Sequence, residues 1–371
     1  MSQVVIIGGG LAGLVSSILL SRNGLTTTLI ERKKYPFHRV CGEYISNEVV
    51  PFLKSHDLYP TKTGLGQVSR FTLTSVNGKE AHLPLDLGGF GISRYVLDHF
   101  LYHQAVAAGV KFIHTTANSV IAKKDHFEVI TDQATLEPKV VIGAFGKRSK
   151  MDKALDRDFI KKRSPYIGVK YHIRYDRHPD DTVALHNFKG GYCGISRIED
   201  GKYNLCYLSE RDNLKDHGQV RKMEEEILAQ NPYLRDIFDR AEFLFDKPEV
   251  INEISFETKQ PVENHILMCG DAAGMITPLC GNGMAIAIHS AKLAAETVTQ
   301  HLTNGKFSRT ALEEEYSKKW NTLFKVRLRT GRQIQRLFGA EWVSNTAVGI
   351  CKNARPVAQY LMKQTHGKPF V

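Results

Sequence analysis

Residues 4–31 read VVIIGGGLAGLVSSILLSRNGLTTTLIE. Val4 to Ile7 are four β-formers with no polar member, the pattern of a strand buried on both faces. Gly8 to Gly13 spell G-x-G-x-x-G. Leu11 to Arg22 have the small, apolar texture of a helix packed on a sheet, and Asn23-Gly24 stop it. Thr26 to Ile30 form the next strand, so the stretch is a βαβ unit. Gly8 permits the tight turn, Gly10 lets a pyrophosphate approach the backbone, and Gly13 lets helix and strand pack closely. The helix start then offers unpaired N–H groups and partial positive charge. Glu31 stands 18 residues after Gly13, where a carboxylate accepts both hydroxyls of an adenosine ribose and disfavours a 2′-phosphate. These residues predict a dinucleotide site and do not separate FAD from NAD.

The chain of 371 residues is 42% hydrophobic and 24% charged, which argues against disorder, collagen and coiled coil. Its net charge is +11, and residues 301–371 hold 13 Lys/Arg against four Glu, or +9 of that excess. An anion-seeking surface is therefore expected at the C-terminal end. The six cysteines form no C-x-x-C pair, and the 15 histidines form no convincing ligand pair, so neither a disulfide framework nor a metal is expected. Residues 4–20 are apolar, but four glycines interrupt them and no Lys or Arg precedes them, so they predict no signal peptide or membrane span. A cytoplasmic protein, peripheral at a membrane if it meets one, is the expectation.

A second glycine cluster lies at 265–296, HILMCGDAAGMITPLCGNGMAIAIHSAKLAAE. A buried strand ends at Gly270-Asp271, a loop from Pro278 through Leu279, Cys280 and Gly281 to Gly283 follows, and a small-residue helix starts near Met284. With the N-terminal turn, Arg39-Val40-Cys41-Gly42-Glu43 and Ser93-Arg94 at a helix start, these features resemble the geranylgeranyl reductase branch of the glutathione-reductase-like flavoproteins. That resemblance implies FAD as cofactor. It places Ala12, Glu31, Cys41, Gly42, Arg94, Val120, Asp271, Gly283 and Met284 along it, with Gly8, Gly10, Gly13, Arg32, Arg39, Gly270 and Gly281 supporting the same site. Asp271 would bind the ribityl chain, and Arg94 would bring charge to the phosphates or nearby backbone. Val120 would act through its backbone beside the adenine, and the 281–284 turn would lie on the flavin pyrimidine edge. Aromatic hydroxylases of the wider family usually carry His at Gly274, and halogenases usually carry W-x-W-x-I-P, absent here. The chain also has Phe145 where the family often has Asp, which weakens the case for direct NAD(P)H use. NAD(P)H or another reductant is left open as electron donor.

The implied fold is α/β: a Rossmann-like FAD-binding domain, an inserted, mostly antiparallel substrate-binding sheet, and a helical C-terminal tail. Residues 1–160 and 255–300 would form the first, with a β-rich excursion at 68–92. Residues 161–254 would form the second, and residues 301–371 the basic helical tail. Cys41 and Glu43 are the candidate catalytic residues. Cys41 relays a proton or tunes the flavin, or only packs beneath it; Glu43 is a general acid or base, or a surface carboxylate. Cys193 and Cys206, with Tyr192, Tyr203 and Tyr207, would form an aromatic, apolar substrate wall.

The expected activity is a flavin-dependent oxidoreductase acting on a small apolar substrate of isoprenoid, polyketide or aromatic type, by carbon–carbon double-bond reduction or dehydrogenation. A hydroxylase is the alternative enzyme, and a flavin-holding lipid- or nucleic-acid-binding protein the alternative without turnover. In KKWNTLFKVRLRTGRQIQRLF, residues 318–338, Lys325, Arg329, Arg332 and Arg336 share one helical face, and Trp320, Leu323, Phe324, Leu328 and Phe338 lie toward others. That face is either a solvated surface or a dock for an anionic membrane or an acidic carrier protein. Nucleic acid is disfavoured because no known motif accompanies the charge.

Overall fold

Two sheets meet over one cavity. The computed structural model describes residues 3–61, 64–277, 281–335 and 341–371. The first sheet runs Val262–Glu263, Ile266–Met268, Val140–Gly143, Val4–Ile7, Thr27–Ile30, Lys111–Ile113. All its pairings are parallel except the first. Its central strand is buried along its whole length, as four consecutive apolar residues require. Helix Leu11–Arg22 packs against both Gly283–Thr303 and Arg94–Ala107. The two glycine turns therefore sit side by side, although more than 250 residues of sequence part them.

The second sheet is wider than the 161–254 stretch. Strands Tyr166–Arg174, Tyr203–Glu210, Gly191–Arg197 and Thr182–Phe188 pair antiparallel in that order, and Thr182–Phe188 then pairs in parallel with Gly66–Thr74. Hairpin partner Glu80–Gly91 and short Tyr44–Ser46 follow on that side, and Glu242–Phe243 and Glu249–Ile254 pair with Tyr166–Arg174 on the other. The 68–92 excursion thus hydrogen-bonds into the substrate sheet. Gly88-Gly89 lies inside a strand: Gly88 takes a φ of +65° and the strand continues through it.

Along Tyr166–Arg174 the side chains alternate. Ile167, Val169, Tyr171 and Ile173 enter an outer core with Met223, Leu228, Leu234 and Ile237. Gly168, Lys170 and His172 take the opposite face, toward the first sheet. The charged 217–240 stretch supplies that outer core as short pieces, Val220–Glu226 and Pro232–Arg240, broken at Asn231-Pro232.

In that outer layer Glu224 is buried, and the Tyr171 and Tyr207 hydroxyls donate to its Oε1 at 3.0 and 2.7 Å. Burial pushes its carboxyl up from 4.5 to about 7, against the pull of those two donors. A folded state that holds the proton more tightly than the unfolded chain loses stability as pH rises between those two values. Thermal or denaturant unfolding should therefore show an excess loss of about 3 kcal/mol across that window relative to Glu224→Gln. Parallel pH profiles for the two proteins would refute it.

Helices Arg309–Gln335, Glu341–Asn353 and Arg355–Thr365 form the tail, after the cofactor-half helix Gly283–Thr303. Arg327 pairs with buried Glu48 at 2.9 Å, and the Gly367 amide donates to the same carboxylate. Asn282, at the start of the Gly283–Thr303 helix, donates to the Thr365 carbonyl at 2.8 Å. The first helix of the tail and its C-terminal end are thereby tied to the cofactor half. Among the described residues no helix is long and apolar enough to cross a membrane.

Candidate functional site

At the first turn, Gly8 has a φ of +105°, and a Cβ there would run into the Ala144 carbonyl. A Cβ on Gly13 would overlap the Gly8 carbonyl oxygen. Close approach of helix to strand therefore demands both glycines. Neither helix Leu11–Arg22 nor helix Gly283–Thr303 has a side-chain cap or an acid in its first turn. Each presents its first N–H groups unopposed. Gly270 brings the two together: a Cβ on it would stand 3.0 Å from the Ala12 Cβ and 3.5 Å from the Ala287 Cβ.

A neutral network of four charges braces this turn. Glu31 Oε2 accepts the Gly9 N–H at 3.0 Å and Arg39 Nη2 at 3.1 Å; Oε1 accepts the Lys33 N–H at 3.0 Å. Arg39 also reaches Asp98 at 3.1 Å and the Gly9 carbonyl at 3.2 Å. Arg94 makes a two-pronged contact with Asp98, 2.7 Å at each oxygen. Burial disfavours the charged form of Arg94, yet Asp98 and then Cys41 hold it firmly protonated. With three lone-pair positions engaged, Glu31 has capacity for one ribose hydroxyl where the sequence suggested two.

From the turn a single cavity of about 810 Å³ extends to the second sheet. Gly8, Gly10, Ala12, Glu31, Arg32, Arg39, Cys41, Gly42, Arg94, Gly270, Asp271, Gly281, Gly283 and Met284 all border it. Gly13 is behind the wall, in its packing role. Val120 is not brought to the cavity: it lies on strand Ala117–Ala122 of a separate three-stranded sheet, packed against the core. Pro278, Leu279 and Cys280 lie outside the described residues. The wall suits an extended, phosphate-bearing, aromatic ligand. A Cβ on Gly42 would stand in open space, and His38 Nδ1 and Arg148 Nη1, both in the wall, have no protein hydrogen-bond partner.

Cys41 is a half-buried free thiol beside the Arg94 guanidinium. Glu43 is neither exposed nor solitary. It is fully buried at a φ of +52° and accepts Lys170 Nζ and the Arg94 N–H (2.7 Å) on Oε1, while Oε2 meets His172 Nε2 at 2.7 Å. Burial raises the Glu43 carboxyl, but Lys170 and His172 overcome it and hold the group below its ordinary value. A surface carboxylate is thus ruled out, and Glu43 is an ion-paired anchor on the cavity wall. Lys170 also binds the Arg39 carbonyl at 3.2 Å, fixing the 39–43 loop at two points. His38 sits edge-on to His172 with ring centroids 5.1 Å apart; burial and then Lys170 push it down to about 4, neutral at pH 7.

Lys170, His172 and His38 are functional candidates absent from the sequence-based set. The signal was available in IGVKYHI, residues 167–173, where every second residue is apolar and Gly, Lys and His share the other face. The expected wall is right for three of its five residues. Cys206, Tyr192 and Tyr207 border the cavity, although the Tyr207 hydroxyl goes to Glu224. Cys193 faces the outer core, and Tyr203 turns its hydroxyl to Asp180. The two-residue period of each strand sends them away. Further out the wall is apolar, with Phe71, Leu73, Leu83, Leu185, Leu208 and Ile251 from the sheet. Trp342, Thr346 and Ile350 come from the Glu341–Asn353 helix opposite. Lys147 borders the cavity and donates to the Val40 carbonyl at 3.3 Å, while Arg148 pairs with Glu253. Among the described residues no group of three metal-ligating side chains stands together.

Comparison with known proteins agrees with this architecture. A digeranylgeranylglycerophospholipid reductase of Methanosarcina acetivorans is 25% identical over 343 residues, 86% of this chain and 80% of the relative. A geranylgeranyl bacteriochlorophyll reductase-like protein of Thermoplasma acidophilum superposes with a TM-score of 0.78 at 18% identity, covering 98% of this chain and 95% of the other. The flavin-dependent brominase Bmp2 gives 0.77 at 18% identity, covering 98% and 93%. Residues 1–320 match the family model described as an FAD binding domain. Its cradle, its paired helix starts and this match together make the chain a member of that FAD-binding family, an FAD-dependent oxidoreductase.

Proposed function

We propose that the protein reduces carbon–carbon double bonds in a long, apolar, isoprenoid-type chain. One observation carries this reading: the glycine cradle, Cys41 and an apolar gallery share one uninterrupted cavity. Among curated proteins, the reductase named above supports the same substrate class. Gly8–Ala12, Glu31, Asp271 and Gly281–Met284 would hold FAD, which would supply hydride chemistry there with electrons from NAD(P)H or another external reductant.

The chain's own residues have three tasks. The gallery aligns the alkene and excludes water, which its aliphatic and aromatic lining favours. The opposite alkene carbon needs a proton, and Cys41, on the wall beside the Arg94 guanidinium, would give one. Glu43 positions Cys41 by tying the 39–43 loop to Lys170 and His172.

The test is anaerobic. The FAD-loaded chain, reduced and mixed with a geranylgeranyl lipid, should lose its reduced-flavin spectrum while mass spectrometry finds two added hydrogens per double bond. Oxygen-18 incorporation from O₂ into product, without saturation, would establish a hydroxylase and overturn this reading. Cys41→Ala should retain FAD and slow turnover by about 10²-fold. Rates equal to the parent with FAD retained would remove Cys41 from the mechanism.

A further inference from the structure

We infer that the C-terminal helices seat this protein on an anionic lipid bilayer, with the cavity mouth toward the acyl chains. Of the eleven large apolar side chains exposed among the described residues, seven lie beyond residue 322. They include Val326 at 65%, Trp342 at 74%, Val357 at 51% and Tyr360 at 62% exposure. Six of the seven are distributed over three helices, of which Arg355–Thr365 packs against both Glu341–Asn353 and Arg309–Gln335. Scattered single apolar residues need no explanation, but a concentration of this kind marks an interaction surface.

Charge selects the partner. From Tyr316 to Val371 the sequence has eleven Lys/Arg and one acid, Glu341. Lys325, Arg329, Lys352 and Lys368 are exposed beside the apolar side chains. A second copy would set like charge against like, whereas an anionic headgroup layer attracts each basic residue by about 1 kcal/mol. Trp and Tyr at the rim, Lys and Arg beside them, and aliphatic side chains between are the composition of a helix lying in a bilayer interface.

The site of contact differs from the basic stripe expected from sequence. Lys325 and Arg329 are exposed, but Arg332 is half-buried and Arg336 lies outside the described residues. The apolar element needed beside them comes from the two helices that follow. Trp342 and Ile350 make the connection to the interior. They stand eight residues apart on one helical face, are exposed, and also border the cavity. An apolar chain could pass along that face from bilayer to gallery without entering water.

The orientation of the mouth rests on the substrate reading above; lipid binding itself does not, and the assay involves no turnover. The full chain with FAD is mixed with vesicles of phosphatidylcholine alone, or with phosphatidylglycerol added, at low and high salt. Binding should be at least about tenfold tighter to the anionic vesicles and weaken with salt. Fluorescence adds a site-specific readout, because Trp320 is 3% exposed and Trp342 is 74% exposed. A blue shift on binding, quenched by brominated lipid and lost in Trp342→Phe, would place Trp342 in the acyl region. Val357→Asp with Tyr360→Asp, both on exposed positions, should weaken binding about tenfold while FAD content and circular dichroism stay unchanged.

No anionic-vesicle binding at low salt would overturn the proposal. So would binding without a Trp342 shift, a lipid-free dimer that buries Trp342, or retention by an acidic carrier protein in place of vesicles. Vesicle binding without alkene reduction would leave this surface standing and refute the proposed reaction. Reduction of a detergent-dispersed substrate without vesicle binding would do the reverse.

Discussion

Replacing Lys170 by methionine should destabilise the folded protein by about 3–5 kcal/mol at neutral pH, because it leaves the Glu43 carboxylate buried without its principal counter-charge. Lys170 and Glu43 are both 0% exposed, so water cannot take over. His172 and the Arg94 N–H remain as partners. They offer hydrogen bonds, but at neutral pH only a protonated His172 would restore the charge balance. The pH dependence follows from the depressed Glu43 carboxyl. Such a group contributes stability above its unfolded value, and that contribution disappears as pH falls through the folded one. Acid unfolding of Lys170→Met should therefore begin at a higher pH than in the parent. Adding Glu43→Gln removes the second charge and should recover most of the loss, since a buried pair removed whole costs far less than one broken. A double-mutant cycle on urea midpoints measures this coupling. Additive losses would show that the two side chains do not act as a pair.

The same pair shows where sequence reading stops. Strand Val4–Ile7, helix Leu11–Arg22 and strand Thr27–Ile30 were legible because local pattern dictates them: an apolar run, a glycine turn, a run of β-formers after a helix stop. The second glycine cluster was legible for the same reason. Glu43 was not. Its partners lie 127 and 129 residues away on a strand of the other sheet, and nothing near Glu43 announces burial. The parallel join of Thr182–Phe188 to Gly66–Thr74 is equally non-local, which is why the 68–92 strands looked like an excursion of the cofactor half. Strand parity explains the wall. Cys206 and Cys193 were grouped by residue type, yet Cys206 borders the cavity and Cys193 faces the outer core. Tail burial was partly readable: Trp320 and Phe324 do enter the core. Arg327, two residues from both Lys325 and Arg329 and so on another face of the helix, could not be foreseen as the partner of Glu48.

Gly13→Val should yield a protein that binds FAD at least about 100-fold more weakly, and in practice a colourless preparation. The first β-carbon alone would overlap the Gly8 carbonyl oxygen and come within 3.4 Å of the Ala144 Cβ. Neither neighbour can give way, because one is backbone and the other sits at the end of strand Val140–Gly143 in the parallel sheet. Helix Leu11–Arg22 must then lift from the strand. Overpacking of this kind costs about 3 kcal/mol, and when the displaced element is the one presenting N–H groups to a pyrophosphate, roughly two decades of affinity go with it. Gly24 supplies the control. It ends the same unit with a φ of +80° but has nothing within 4 Å of its would-be Cβ. Gly24→Ala should thus lose only about 1 kcal/mol to backbone strain and stay yellow. Flavin absorbance after purification, followed by FAD titration of the apoproteins, separates the two variants. Parental affinity in Gly13→Val would mean that the pyrophosphate is held somewhere other than the N-terminal turn. The assignment of Ala12, Glu31 and Asp271 to FAD would then have to be abandoned along with it.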